Sequence, residues 1–287
     1  MKDKVQRIGK MFNSKTKKSV MIPMDHGILG IPPGLEDPVK SFKGFVELGA
    51  DAILLNIGIL KLVREYLNSL KKVPGIILAI DYNLRWPKWK IPIETDCIIA
   101  HCIKHDIELA LKYGADAIKV YFALGLESRL QFNYIKNICK IVNECDKYNM
   151  PVMIEPVTEE KYISQNKKGD PEIIADGCRI ALELGADILK VPFPSINNPK
   201  ANESFKMIFL NSHVPVIVLG GPKKAKSLLG IMNTAREAID AGASGTIFGR
   251  NVWQRPKSEM ERAVKALKDI VHKGDNPINV MSKYNLN

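Results

Sequence analysis

The chain has 287 residues, 46% hydrophobic and 25% charged, with 42 Lys and Arg against 31 Asp and Glu for a formal net charge of +11. That balance excludes a disordered, collagen-like or coiled-coil chain and fits either two medium domains or one α/β barrel, which runs to roughly 250 residues as a single unit. No apolar run approaches the roughly 18 residues of a membrane span, the first residues lack the apolar stretch of a secretory signal, and the excess positive charge favours anionic partners: nucleic acid, an acidic membrane surface or phosphorylated metabolites.

Along the chain, Val5, Ile8 and Phe12 fall on one face of a short leading helix suited to plugging a barrel floor. Eight β-rich runs follow, at residues 19–25, 52–56, 75–81, 115–122, 151–155, 187–191, 214–220 and 245–248, most of them trailed by helical periodicity. Runs such as Ile76-Ile77-Leu78 and Val216-Ile217-Val218 are apolar throughout, as in a parallel sheet covered on both faces. One phrase precedes three of them, Leu48-Gly49-Ala50-Asp51, Tyr113-Gly114-Ala115-Asp116 and Leu184-Gly185-Ala186-Asp187, with Ala241-Gly242-Ala243-Ser244 a variant. Glycine just past a helix supplies a left-handed cap, and the small residue after it lets the chain turn at once into a buried strand.

Eight such units without a composition break predict an α/β fold, a single (β/α)8 TIM barrel with a short N-terminal helix, in one domain over residues 1–287 with the barrel at about 19–272. Ser258 and Glu261 spell a capping box for a last helix with Met260, Val264, Leu267 and Val271 inward. The polar tail after Gly274 is expected to pack late or on a neighbour. Cys97, Cys102, Cys139, Cys145 and Cys178 form an odd set without a CxxC pair, read as reduced, mostly buried thiols of a cytoplasmic chain.

Catalytic groups of such barrels emerge at the C-terminal ends of strands, and there the charged residues interrupt the apolar runs: Asp25, Asp81, Lys119, Glu155 and Lys190. Lys190, in Asp187-Ile188-Leu189-Lys190-Val191-Pro192, is either paired with an acid such as Glu155 or Asp25 or aimed into a cavity as an amine for Schiff-base chemistry, with Lys119 as a second cation. Asp25 and Glu155 then either move protons or neutralise the lysines. Gly220-Gly221-Pro222-Lys223-Lys224 and Phe248-Gly249-Arg250-Asn251 each put glycine after a late strand, as a tight turn or as backbone that approaches a phosphate beside Arg250. His26 contacts substrate or caps the first loop, and Asp81 joins the candidate substrate-binding set. His101 and His105 lie four apart, but no third metal ligand accompanies them, so no metal is expected. The run Arg85-Trp86-Pro87-Lys88-Trp89-Lys90 reads as a loop roofing the mouth or a subunit contact rather than a nucleic-acid surface, and residues 159–169 as a loop over the mouth.

From about residue 7 to residue 271 the sequence resembles class I aldolases of the DeoC/FbaB superfamily, particularly the branch of archaeal-type fructose-bisphosphate aldolase and 2-amino-3,7-dideoxy-D-threo-hept-6-ulosonate synthase. The resemblance rests on Val20-Met21-Ile22-Pro23-Met24-Asp25-His26-Gly27, on Gly185-Ala186-Asp187-Ile188-Leu189-Lys190, on Gly220-Gly221-Pro222-Lys223, and on Gly242-Ala243-Ser244-Gly245 continuing to Gly249-Arg250-Asn251-Val252-Trp253-Gln254. It implies a Schiff base on Lys190, proton transfer assisted by Asp25, and a phosphate held by Gly220, Gly221, Gly249 and Arg250. One departure stands out: that branch usually carries Tyr followed by Pro-Arg-Gly at the fifth strand end, where this chain has Ile154-Glu155-Pro156-Val157. Glu155 with Lys119 is instead similar to tagatose-bisphosphate and sulfofructose-phosphate aldolases, which makes Glu155 the expected acid/base. The autoinducer-2 phosphate thiolase branch shares a motif like Gly30-Ile31-Pro32-Pro33-Gly34-Leu35-Glu36.

The resemblance implies a cofactor-free aldolase that reversibly cleaves a phosphorylated ketose, of fructose-bisphosphate type, into a dihydroxyacetone-phosphate-like fragment and an aldehyde. It also implies a homo-oligomer with no nucleic-acid or membrane partner. The alternatives are an aminodideoxyheptulosonate-type synthase or transaldolase, a thiolase-like enzyme, a metal-dependent barrel enzyme, and a noncatalytic sugar-phosphate or nucleic-acid binder that relies on the +11 charge.

Overall fold

The computed structural model describes residues 3–81, 103–158, 169–194, 199–221 and 228–286. The apolar runs form eight strands: β1 (Ser19–Pro23), β2 (Ala52–Asn56), β3 (Gly75–Ala79), β4 (Ala117–Leu124), β5 (Val152–Thr158), β6 (Ile188–Pro192), β7 (Val216–Leu219) and β8 (Gly245–Ile247). Each pairs in parallel with the next, and β8 pairs with β1, so the sheet closes. Around it run α1 (Lys4–Lys10), α2 (Pro38–Glu47), α3 (Ile57–Ser69), α4 (Ile103–Lys112), α5 (Ser128–Lys147), α6 (Pro171–Glu183), α7 (Pro199–Asn211), α8 (Leu229–Asp240), α9 (Arg250–Trp253), α10 (Lys257–Lys268) and α11 (Pro277–Lys283). This is the (β/α)8 barrel that the repeated strand and helix units predict, with its short leading helix. Among the described residues no helix is long and apolar enough to cross a membrane.

Because strand side chains alternate between faces, each strand feeds two cores. Ile53, Leu55, Val120, Ile154 and Leu189 point outward and pack with the helices. Met21, Leu54, Ile77, Met153, Ile188 and Ile217 fill the barrel interior, which is a packed core rather than a pore. The helix α1 closes the floor of that interior: Ile8, Met11 and Phe12 pack against it, and Arg7 donates to Ala115 O at 3.0 Å. Val5, expected on the same face, is 77% exposed. Lys4 pairs with Asp187 at 2.7 Å and Lys10 with Asp116 at 2.8 Å, and these polar anchors set the rotation of the helix, leaving Val5 outside.

The Gly-Ala-Asp phrases do more than turn the chain. Gly49 and Gly185 adopt left-handed φ of +73° and +95°, which a Cβ would strain. The aspartates then reach sideways: Asp51, Asp116 and Asp187 accept the backbone N–H of Val20, Ile76 and Val152 at 2.8, 2.9 and 2.9 Å. Each carboxylate pins the first residues of the neighbouring strand, and hydrogen bonds to charged groups contribute about 1.5–3 kcal/mol each.

Several local expectations are corrected. The last helices do not start at Ser258: α10 begins at Lys257 behind Pro256, whose carbonyl accepts the N–H of Glu259 and Met260, so Ser258 is already inside the helix and makes no cap. Val264, Leu267 and Val271 are buried as expected, and Met260 packs at the core edge. The tail does not wait for a neighbour. Its α11 buries Val280 and Met281 against the barrel's own helices, and Asp269 fastens it through Lys283 at 2.6 Å and Tyr284 at 2.8 Å. Glu155 lies within β5 rather than at its end, because pairing with β4 continues to Leu124 opposite Thr158.

Candidate active site

The alternation that fills the barrel also selects what reaches its mouth. Two residues beyond Ala117, Met153 and Ile188, which face the interior, stand Lys119, Glu155 and Lys190. The register keeps them in adjacent strands, with Lys119 opposite Ala79 on one side and Met153 on the other. Asp81 follows Ala79 by the same step. Asp25 and His26 arrive differently: β1 stops at Pro23, and the chain folds into a 3-10 turn at Asp25–Leu29 that turns both residues over the mouth.

The structure brings these groups into one buried cluster. Lys190 Nζ lies 3.0 Å from Glu155 Oε2, and Lys119 Nζ lies 2.9 Å from the same oxygen. Lys119 also meets Asp81 Oδ2 at 2.8 Å and Asp25 Oδ2 at 4.0 Å. Lys119, Lys190 and Glu155 are only 4%, 5% and 8% exposed, so their charges are tolerable only because Glu155, Asp81 and Asp25 together face the two ammonium groups. Burial by itself pushes the Glu155 carboxyl up, but the Lys119 and Lys190 ammonium groups outweigh it and hold Glu155 below the usual carboxylate range. Burial would likewise raise Asp25, and His26 with the two lysines more than reverses it. Burial opposes the charge on Lys119, yet Asp81, Glu155 and Asp25 together hold it protonated well above the usual lysine range.

Beside the cluster a cavity opens to solvent, lined among others by His26, Glu155, Lys190, Gly220, Gly221, Gly249 and Arg250. Three polar atoms at this mouth, Asp25 Oδ1, His26 Nδ1 and Arg250 Nε, are buried without a hydrogen-bond partner among the described residues. Asp25 Oδ1 and His26 Nδ1 approach to 3.1 Å without hydrogen-bond alignment. Burial lowers Arg250, and Asp25 and Glu155 partly offset that effect. A Cβ on Gly249 would stand 2.9 Å from Pro23 Cγ, so the turn that carries Arg250 admits only glycine at this approach.

Of the candidates read from the sequence, Lys190, Glu155, His26, Gly220, Gly221, Gly249 and Arg250 line one cavity, with Asp25 and Lys119 directly behind it. Asp81 is engaged elsewhere, its Oδ2 held by Lys119 Nζ and by the Tyr121 N–H, both at 2.8 Å. Sequence reasoning missed two supports. Asn251 Nδ2 donates to Gly220 O at 2.9 Å and ties the last two loops together, and Trp253 Nε1 donates to Pro23 O at 3.0 Å while its ring meets His26 edge-on at 5.3 Å. The run Gly249-Arg250-Asn251-Val252-Trp253 carries no local signal for either contact, since both partners are distant in the chain.

His101, the side chain of His105, the segment 85–90, the loop 159–168, Pro222, Lys223, Lys224, Cys97 and Cys102 lie outside the described residues. Cys145 and Cys178 are buried free thiols pushed up to about 12 by burial, and Cys139 is half-buried.

Comparison with known proteins adds relatives to this geometry. Over 269 residues the chain is 28% identical to an uncharacterized aldolase of Saccharolobus solfataricus, covering 93% of each. It is 29% identical over 272 residues to a 3-hydroxy-5-phosphonooxypentane-2,4-dione thiolase of Yersinia enterocolitica, covering 94% of this chain and 82% of the relative. Its fold superposes with a TM-score of 0.76, at 23% identity, on an archaeal fructose-1,6-bisphosphate aldolase solved with its catalytic Lys covalently bound to the carbinolamine intermediate of the substrate, covering 94% of this chain and 100% of the other. The sequence profile of the DeoC/LacD family aldolases matches residues 19–255. Since that match runs from the first residue of β1 through all eight strands and past the Arg250 turn, the chain belongs to the DeoC/LacD family of aldolases and is a carbon–carbon lyase.

Proposed function

We propose that the protein is a Schiff-base aldolase that reversibly cleaves a phosphorylated ketose, with Lys190 as the nucleophile. The observation that carries this reading is the placement of Lys190 Nζ, buried at the cavity edge and 3.0 Å from Glu155 Oε2, in a space that Arg250 and the Gly220, Gly221 and Gly249 backbone also line. Glu155 is an acceptor for the proton that Lys190 must lose before it attacks. The free amine adds to the ketose carbonyl, water leaves, and an iminium forms. Glu155 or Asp25 takes the proton of the C4 hydroxyl, the C3–C4 bond breaks, and its electron pair moves into the iminium to give an enamine as the aldehyde departs. Protonation of the enamine at C3 and hydrolysis release the dihydroxyacetone-phosphate-like fragment. Lys119 does not compete as nucleophile, because three carboxylates hold it as a cation.

Arg250 and the late-strand glycine turns are the phosphate-binding element, so that remote binding energy orients the carbonyl over Lys190. His26, resting on Trp253, faces the same cavity as a substrate contact. A fructose-bisphosphate-type ketose is the substrate of first choice, and a homo-oligomer is the expected assembly. A thiolase reaction is the second reading, favoured by the 29% identical Yersinia relative. It requires a thiol acceptor, whereas aldol cleavage releases a free aldehyde without one.

The test is peptide mass spectrometry after incubation with dihydroxyacetone phosphate or fructose 1,6-bisphosphate and borohydride reduction. A reduced adduct on Lys190, absent in Lys190→Ala, is expected. Folded protein that forms no adduct with either sugar phosphate overturns the reading for this substrate type.

A further inference from the structure

Asp81 stands at the barrel mouth with one carboxylate oxygen already engaged by protein groups. Its Oδ2 accepts from Lys119 Nζ at 2.8 Å and from the Tyr121 backbone N–H at 2.8 Å. The second bond ties the carboxylate to β4, two residues beyond Lys119, so Asp81 cannot swing toward substrate without giving up both partners. Lys119 passes the contact on to Glu155 Oε2 at 2.9 Å, and Glu155 Oε2 in turn meets Lys190 Nζ at 3.0 Å. Among the described residues the groups facing Lys119 are Asp81 just beyond β3, Glu155 from β5, Lys190 from β6 across the shared Glu155 oxygen, Asp25 from the turn after β1 at 4.0 Å, and its own strand's Tyr121 ring at 5.6 Å.

We propose that Asp81 is a positioning residue that acts through Lys119: it keeps a permanent cation against Glu155, so that Glu155 remains a carboxylate directed at Lys190. The proposal rests on the imine reading of Lys190. Two cations meeting on one oxygen would repel each other, and a second anion on the far side of Lys119 is what holds that cation in place. Burial opposes the charge on Lys119, and Asp81 heads the carboxylates that overcome it, so losing Asp81 brings Lys119 back toward titration.

The test measures exchange of the C3 protons of dihydroxyacetone phosphate with D2O as a function of pH, a half-reaction that uses the enamine and needs no aldehyde partner. Asp81→Asn retains size and an acceptor for the Tyr121 N–H while removing the charge, and Asp81→Ala removes the charge in a second way. Both are expected to acquire a falling alkaline limb, with exchange lost progressively toward high pH as Lys119, left with Glu155 and Asp25 alone, deprotonates. The native protein and Asp81→Glu are expected to show no such limb. A loss that is the same at every pH means a merely structural residue, and a raised KM with unchanged kcat means a substrate ligand; either overturns the proposal. Borohydride trapping on native Lys190 is run alongside. No adduct and no exchange in the native protein overturn the imine reading itself, whereas trapping with an unchanged pH profile in the variants overturns the role of Asp81 alone.

Discussion

On the proposed mechanism Glu155→Gln is expected to slow proton transfer while leaving Lys190 in place. The substitution keeps the side-chain volume and one acceptor oxygen but removes the charge that Lys190 and Lys119 share at 3.0 and 2.9 Å. Lys119 retains Asp81 and Asp25, whereas Lys190 loses its carboxylate partner, so the folded state is expected to lose about 2 kcal/mol, or roughly 4–8 °C in Tm. Catalysis loses more. A positioned acid/base contributes about 10²–10⁴-fold, and a kcat drop of that size corresponds to about 3–5 kcal/mol of activation free energy. Lys190 itself is retained, so borohydride is expected still to trap dihydroxyacetone phosphate on it, more slowly because the acceptor of its proton is gone. Single-turnover trapping beside steady-state cleavage reads both quantities in one preparation. Turnover within about threefold of the native enzyme, with trapping intact, would refute the assignment of Glu155 and move the role to Asp25.

Arg250→Ala is expected to raise KM for a phosphorylated substrate by about 10–100-fold, the value of one or two charge-assisted hydrogen bonds, and to leave unphosphorylated dihydroxyacetone nearly unaffected; equal losses on both would refute a phosphate contact. Met11→Ala opens the fully buried barrel floor and is expected to cost about 2–5 kcal/mol in urea denaturation, with kcat of the folded fraction unchanged because the site is at the opposite end. Acid stability follows from the depressed carboxyls. Burial pushes Asp25 and Glu155 up, and the facing cations bring both below their usual values, so their contribution is present above about pH 4.5 and lost as the pH falls through the folded values. Tm is expected to fall below about pH 4, less steeply in Glu155→Gln; the contribution of the raised Lys119 is present in full below about pH 10 and is lost as the pH rises from there toward the folded value.

Much of the candidate site was legible because a buried strand exposes its exceptions. A lysine in Ile188-Leu189-Lys190-Val191 or a glutamate after Met153-Ile154 has no place in an apolar run unless it is paired or aimed into a cavity, and here both conditions hold. The glycine turns were legible for a related reason, since only glycine permits the approach of Gly249 to Pro23. Asn251 and Trp253 were not, because their value is a contact with Gly220 and Pro23, residues on distant strands. Asp81 shows the limit most plainly: strand position put it at the mouth, but only the pairing of β3 with β4 turned it to Lys119 and the Tyr121 amide.

The one-dimensional text by itself determined the architecture, since apolar runs of strand length, four of them reached through a Gly-Ala turn, have few ways to bury both faces, and eight of them close a barrel. It also determined which residue types stand at the mouth, because a period of two is a local property of the chain. The tertiary structure decided the partners: that Val5 faces solvent while Ile8 and Met11 seal the floor, that the tail folds back on its own helices, and that Lys119 is surrounded by carboxylates while Lys190 faces the cavity. The physical reason is that periodicity specifies a side chain's direction relative to its own strand, whereas charge pairing depends on distances between strands, and those exist only once the barrel is closed.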